Sequence, residues 1–276
     1  ATKITALGNA YTPVCDVLDE RAYVNGLVGL MATGGSTNLV LHLIAMARAS
    51  GVQLTCADFD AVSDVTPLMA RVYPNGLADV NHAAGGLPFI IGRLLEAGLL
   101  HEDVQTVAGQ GLSAYATEPK LTGDRIEWTP GPKDSLNDRI LKTPDAPFDH
   151  HGGLKQVHGN LGLGVIKISA VAPELHVIEA PARIFHSQDD VKVAFRAGEL
   201  DRDGVIVVRY QGPRANGMPE LHGLTPVLTV LLQRGYRVAL VTDGRMSGAS
   251  GKVPAAIHVA PEALDGGLIG KLQDGD

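Results

Sequence analysis

Val238-Ala239-Leu240-Val241-Thr242-Asp243-Gly244-Arg245-Met246-Ser247-Gly248-Ala249-Ser250-Gly251-Lys252 decides how this chain is read. An apolar strand, Val238 to Val241, runs into a glycine-rich turn carrying Asp, Arg, two Ser and Lys. A strand end that opens into glycines presents backbone N–H groups and small hydroxyls to a ligand. α/β proteins build sites for anions and small acids at such places. The ending is not a P-loop, because no glycine stands where that motif needs one and Val253 replaces its final Ser or Thr. Ser247 has no Ser–His–Asp order around it and no nucleophile elbow, so it needs activation from a metal, a base or a strong local field. The alternative is a structural turn with solvated hydroxyls.

Working back from this turn, strands and helices alternate. Val165 to Ser169 and His176 to Phe185 are strand-like. Ser187-Gln188-Asp189-Asp190 starts a helix that runs to Gly198. Asp201 to Gly204 is a turn before a buried strand, Val205 to Arg209, and Leu224 to Gln233 is a helix. The order βαβαβ predicts a smaller α/β domain. Gln211-Gly212-Pro213-Arg214-Ala215-Asn216-Gly217-Met218-Pro219-Glu220 follows one of its strands. This places Glu220 about one turn into a helix at a strand's carboxyl end. A single carboxylate there is a partial Mg²⁺ ligand, or a first-turn Glu that merely favours the helix dipole.

Glu118 to Gly153 is polar, weakly periodic and rich in Pro, Gly and Asp, which predicts a boundary between domains 1–149 and 150–276. Upstream, Tyr23 to Gly51 reads as loop and then helix. Ser36 is its cap, Leu39, Val40, Leu43, Ile44, Met46 and Ala47 form its apolar face, and Gly51 stops it. The lead-in Ala32-Thr33-Gly34-Gly35-Ser36-Thr37-Asn38 is an anion-receiving helix start or an ordinary capped helix. Thr66-Pro67 opens a short helix, Leu87 to Ala97 is another, and Thr106 to Ala108 is a short strand. His150-His151 points to opposite sides of an extended chain and chelates poorly. Asn160 is a turn residue.

The 276 residues are 45% hydrophobic but only 4% aromatic, which suits aliphatic helices on a parallel sheet. Thirty-three glycines and sixteen prolines imply many tight loops. A formal charge of −7 without a basic stripe argues against nucleic acid. No apolar run approaches a membrane span, and the start has no signal-peptide pattern. Cys15 and Cys56 lack CxxC spacing, read as small buried hydrophobes, and fit a reduced, cytoplasmic setting. Both ends read as cut from a longer protein.

Four segments in order resemble the family of dihydroxy-acid and sugar-acid dehydratases: Ala32 to Asn38, Gly217-Met218-Pro219-Glu220, Thr242 to Gly248, and His258-Val259-Ala260-Pro261-Glu262-Ala263. Leu68 to Gly76, His101-Glu102-Asp103-Val104 and Ser247 to Pro254 point to its phosphorylated sugar-acid branch. The resemblance implies the closing part of a large α/β domain followed by a swivelling β/β/α domain. It implies a cytoplasmic hydro-lyase of the Entner–Doudoroff route, a homodimer that turns 6-phospho-D-gluconate into 2-keto-3-deoxy-6-phosphogluconate and water. It further implies a [4Fe-4S] cluster and a nearby Mg²⁺, with Ser247 as the catalytic base and Glu220 as a Mg²⁺ ligand. Arg245, Gly248, Ser250 and Lys252 are assigned to the substrate, and Lys252 with nearby N–H groups is expected to take its phosphate. Neither cysteine matches the family's cluster ligands, so this chain is expected to hold no cluster. The rival readings are a dehydratase of dihydroxy or unphosphorylated acids and a non-catalytic binding or dimerisation fragment.

Overall fold

A computed structural model describes residues 12–71, 84–169, 171–247 and 252–276. It divides into two compact units. The second gathers Gly34–Val40 together with Gly153–Asp276, and the first takes the described residues on either side of Gly34–Val40, up to Gly152.

The first unit opens with α1 (Val14–Val17) and α2 (Glu20–Thr33). Tyr23 to Thr33 is therefore helix where the sequence reads as loop. Gly26 and Gly29 are poor helix formers, but Tyr23, Leu27, Leu30 and Met31 are buried and hold the helix by packing. α3 (Asn38–Ala49) follows, with Ser36 Oγ accepting the Asn38 N–H at 3.3 Å. Its buried residues are Val40, Leu43 and Ala47, while Met46 of the predicted face is 45% exposed. Gly51, at φ +82, turns the chain after it, as only glycine does without strain.

α4 (Cys56–Val65) carries a capping box between Thr55 and Asp58. The predicted helix from Thr66-Pro67 is not there. Leu68 and Ala70 are extended and bridge Asp149 and Leu141, and the Leu68 N–H goes to the Asp149 carbonyl at 2.9 Å and the Met69 N–H to that of Ala32 at 2.7 Å rather than along a helix. α5 (Gly86–Glu96) matches its periodicity. β1 (Gln105–Thr106) and β2 (Gly109–Gln110) form a miniature antiparallel pair. The polar, weakly periodic stretch after Glu118 contains a hairpin, β3 (Thr117–Thr122) and β4 (Arg125–Pro130). The unit's core joins Val28, Met69, Phe89, Ile90, Leu94 and Leu141. Cys15 is exposed, which corrects its reading as a buried hydrophobe, and Cys56 is partly buried, which raises its thiol above the ordinary range.

The second unit is α/β, as expected. It is built on β5 (Leu154–Gly159), β6 (Gly162–Lys167), β7 (Ala182–Phe185), α6 (Gln188–Arg196), β8 (Gly204–Val208), α7 (Pro213–Asn216), α8 (Leu224–Gln233), β9 (Val238–Thr242) and β10 (Ala255–Ala260). The six-stranded sheet runs β5-β6-β10-β9-β8-β7. β7, β8, β9 and β10 are parallel neighbours, whereas β5 and β6 form an antiparallel hairpin. Asn160-Leu161 makes its two-residue turn, and a Cβ on Gly162 would meet the Ala260 carbonyl oxygen at 2.2 Å. His176 to Phe185 is strand only from Ala182 onward, because Pro173–Leu175 is a 3₁₀ turn.

Alternation along β8 explains the layering. Ile206 and Val208 face a core shared with Val191 of α6 and Leu224, Leu228 and Leu231 of α8. Val207 faces the opposite side with Ala182, Val259 and Ile269. Ser187 Oγ caps α6 through the Asp190 N–H at 3.1 Å. Among the described residues no helix is long and apolar enough to cross a membrane.

Candidate active site

The carboxyl ends of the parallel strands converge on the turn after β9, where open α/β sheets place ligands. The Asp243 carboxylate is buried at this crossing. Its Oδ1 accepts the Gln211 N–H at 2.9 Å, and its Oδ2 accepts those of Tyr210 and Ala263 at 3.1 and 2.9 Å. One side chain thus ties the segments after β8, β9 and β10 together. Gly244 is forced by packing, since a Cβ there would lie 2.7 Å from that of Gln211. Glu262 does the same on a smaller scale, accepting the N–H groups of Arg214 and Ala215 at the start of α7.

Glu220 is not in a helix. It lies between α7 and α8 and pairs with Arg245 in a parallel bridge. The reason is local: Gly217 and Met218, at φ +64 and +56, turn the chain out of α7. Leu221 N–H then reaches the Arg245 carbonyl at 3.0 Å. Glu220 Oε1 accepts the Ser247 N–H at 2.6 Å, and its Oε2 accepts Asn38 Nδ2 at 2.9 Å and Arg245 Nη1 at 3.0 Å. Arg245 also gives its Nε–H to the Met218 carbonyl at 2.7 Å.

The Gly34–Asn38 turn completes the group. Thr37 Oγ1 donates to the Met246 carbonyl at 2.5 Å, and the buried Asn38 Oδ1 has no partner among the described residues. Beneath the turn the Lys167 ammonium donates to the carbonyls of Gly34 and Gly35 at 2.6 and 3.3 Å. Burial lowers the Lys167 pKa to about 8.

Of the predicted site residues, the structure brings Ser247, Glu220 and Arg245 together. Lys252 is exposed, and Gly248 and Ser250 lie outside the described residues. Sequence reasoning missed Asn38 as a Glu220 partner, Asp243 as the organiser, Lys167 and His258. The signal for Lys167 was a lone cation ending the apolar run Gly164-Val165-Ile166.

His258 is held at φ +55, with its N–H on the Gly244 carbonyl at 3.0 Å. Tyr210 and Met218 are the other described non-glycine residues at positive φ, and all three touch the Asp243–Arg245 turn through hydrogen bonds. Such backbone strain gathers where function fixes the geometry. Both His258 ring nitrogens are buried without a partner among the described residues. Burial, and secondly the Arg245 guanidinium, push its pKa down to about 4. The folded protein therefore binds this proton less well than the unfolded chain, and stability falls as pH drops from about 6.5 to about 4. The full effect is about 3 kcal/mol. Denaturant midpoints measured across that window should lose roughly one proton's worth of slope in His258→Asn. An unchanged slope would show that the imidazole is not held neutral.

Described residues offer no group of three His, Cys, Asp or Glu side chains that could hold a metal ion. Cys15 and Cys56 are free, and two thiols cannot supply all the ligands of an iron–sulfur cluster. Glu220 accepts three hydrogen bonds, one from a guanidinium, so its carboxylate is already charge-balanced. The described residues do not by themselves fit either a cluster or a Mg²⁺ site.

The chain belongs to the dihydroxy-acid/6-phosphogluconate dehydratase family. The description "Dihydroxy-acid/6-phosphogluconate dehydratase N-terminal" matches residues 1–115, and "Dihydroxy-acid/6-phosphogluconate dehydratase C-terminal" matches residues 139–276. It is 61% identical to a phosphogluconate dehydratase of Rhizobium meliloti (strain 1021) and 59% identical to that of Escherichia coli (strain K12). Each alignment covers 100% of this chain and 46% of the relative. A dihydroxy-acid dehydratase of Sulfurisphaera tokodaii is 40% identical over 95% of the chain and 45% of that protein. The chain thus spans about half the length of these relatives.

Proposed function

We propose that the whole protein is a phosphogluconate dehydratase, a hydro-lyase of the Entner–Doudoroff route acting on 6-phospho-D-gluconate. The observation that carries this reading is the convergence of Ser247, Glu220 and Arg245 at the carboxyl edge of the sheet. Identity of about 60% to phosphogluconate dehydratases, against 40% to a dihydroxy-acid dehydratase, supports the substrate class.

In the reaction a proton leaves the carbon next to the carboxylate and hydroxide leaves the adjacent carbon. The resulting enol rearranges to the 2-keto product, and water is released. Ser247 Oγ is the proposed proton acceptor. Glu220 fixes it by taking its backbone N–H, while Arg245 balances the carboxylate charge so that the turn does not oppose a developing enediolate. A lone serine is too weak a base to act unaided. The family's [4Fe-4S] cluster and Mg²⁺ belong to the same proposal. Since the side chains here do not fit either, no step is assigned to them. A cytoplasmic homodimer completes the reading.

The test is a substrate panel on the anaerobically prepared full-length protein: 6-phosphogluconate, gluconate and a branched dihydroxy acid. We expect 6-phosphogluconate to be the preferred substrate. Lys252→Ala should raise KM for it by about tenfold or more, and for gluconate much less, through loss of a charge-assisted phosphate contact. Preference for the dihydroxy acid would overturn the substrate assignment, and equal KM effects would remove Lys252 from the phosphate.

A further inference from the structure

Lys167 is an anomaly that this reaction leaves unexplained. It ends β6 with a relative exposure of 9%, and its stem lines an apolar cavity of about 420 Å³ with Ile166, Ile168, Leu240 and Ala255. An ammonium in such surroundings is held against a desolvation penalty that an aliphatic residue would avoid. Its Nζ reaches the Gly34 and Gly35 carbonyls, two successive acceptors of the turn that precedes α3. Gly34 sits at φ +57, which glycine adopts without strain but also leaves readily, so the place of this turn is set by its contacts.

That turn carries two side chains into the site. Thr37 anchors the carbonyl of Met246, the residue before Ser247, and Asn38 supplies one of the three donors to Glu220. Each contact bridges sequence separations of about two hundred residues, 209 for Thr37 to Met246 and 182 for Asn38 to Glu220. Neither segment can set this geometry alone. The position of Glu220 and Ser247 therefore depends on where Gly34 and Gly35 are held.

We infer that Lys167 is a positioning residue: by clamping the Gly34 and Gly35 carbonyls it sets Thr37 and Asn38 against Met246 and Glu220, and so fixes Ser247. The inference rests on the reading of Ser247 and Glu220 as the reacting pair. The lowered Lys167 pKa agrees with an ammonium kept in a desolvated position for its hydrogen bonds.

The experiment compares Lys167→Met and Lys167→Arg with wild type in the full-length enzyme, with two readouts. In dehydration of 6-phosphogluconate, Lys167→Met should lose at least about 30-fold in kcat with KM within about threefold, as expected when a reacting group shifts by about 1 Å. Lys167→Arg, which keeps donors for both carbonyls, should recover most of that loss. The second readout needs no activity. Hydrogen exchange of peptides covering Gly34–Val40 and Arg245–Ser247 should quicken at least about tenfold in Lys167→Met, while the β8 peptide Val205–Val208 stays protected. Unchanged exchange at Arg245–Ser247 overturns the proposal. So does exchange that rises equally in β8, or an arginine variant no better than methionine, because either reports packing alone. An inactive wild type with the exchange pattern intact would instead count against the functional reading and leave the clamp standing.

Discussion

Ser247→Ala is expected to lower kcat by about 10³-fold or more, and Glu220→Ala to come within about tenfold of it, with the double variant scarcely worse than either. The 2.6 Å contact between the Ser247 N–H and Glu220 Oε1 ties the two residues into one unit. If the carboxylate works by fixing the serine, removing the fixed group and removing what fixes it are one lesion, and their effects do not add. Stability should separate them. Ser247→Ala removes a small hydroxyl. Glu220→Ala leaves Arg245 without its counter-charge and strips the acceptor from three donors. Breaking a fully buried pair costs about 3–5 kcal/mol; with side-chain exposures of 24% and 29%, about 2 kcal/mol is expected here. Chemical unfolding and steady-state kinetics on the four proteins decide the matter. Additive losses in kcat would mean that Glu220 acts on the substrate independently of Ser247.

Asp243→Ala should be the most destabilising of the substitutions considered. Three backbone N–H groups lose their acceptor at a site only 1% exposed. An orphaned buried donor costs about 1–3 kcal/mol, so about 4 kcal/mol or more is expected, a fall in Tm of roughly 10 °C for a protein of this size. Asp243→Asn keeps one oxygen and should lose about half as much. Differential scanning calorimetry tests the order Ala worse than Asn worse than wild type. A loss below about 1 kcal/mol for the alanine variant would show that the three segments are held by packing instead.

The fold was legible where one element carries its own signal. α8 stands at the predicted residues because Leu224, Val227, Leu228 and Leu231 repeat on one face, and α6 begins at its serine cap. α2 was hidden because its apolar residues surround two glycines and show weak amphipathic contrast. The β3–β4 hairpin was hidden because Pro119, Gly123 and Asp124 are also what a linker uses. The site was legible in part. The resemblance singled out Ser247, Glu220 and Arg245, but placing Glu220 in a helix went wrong because its pairing partner lies 25 residues downstream. Asn38 was unreadable as a carboxylate partner for the same reason, since nothing near it in sequence announces a contact 182 residues away.

The grouping of Gly34–Val40 with the sheet unit bears on how the polypeptide is made. During synthesis these residues emerge long before β9, and closing so large a loop costs entropy that no nearby contact returns. The sheet itself waits for β10, the strand that joins β6 to β9 and is made after Met246, so its reactive edge is among the last parts of this unit to close. A piece begun at Gly153 would fold around an incomplete edge, and only the missing heptapeptide, supplied from outside, could restore it.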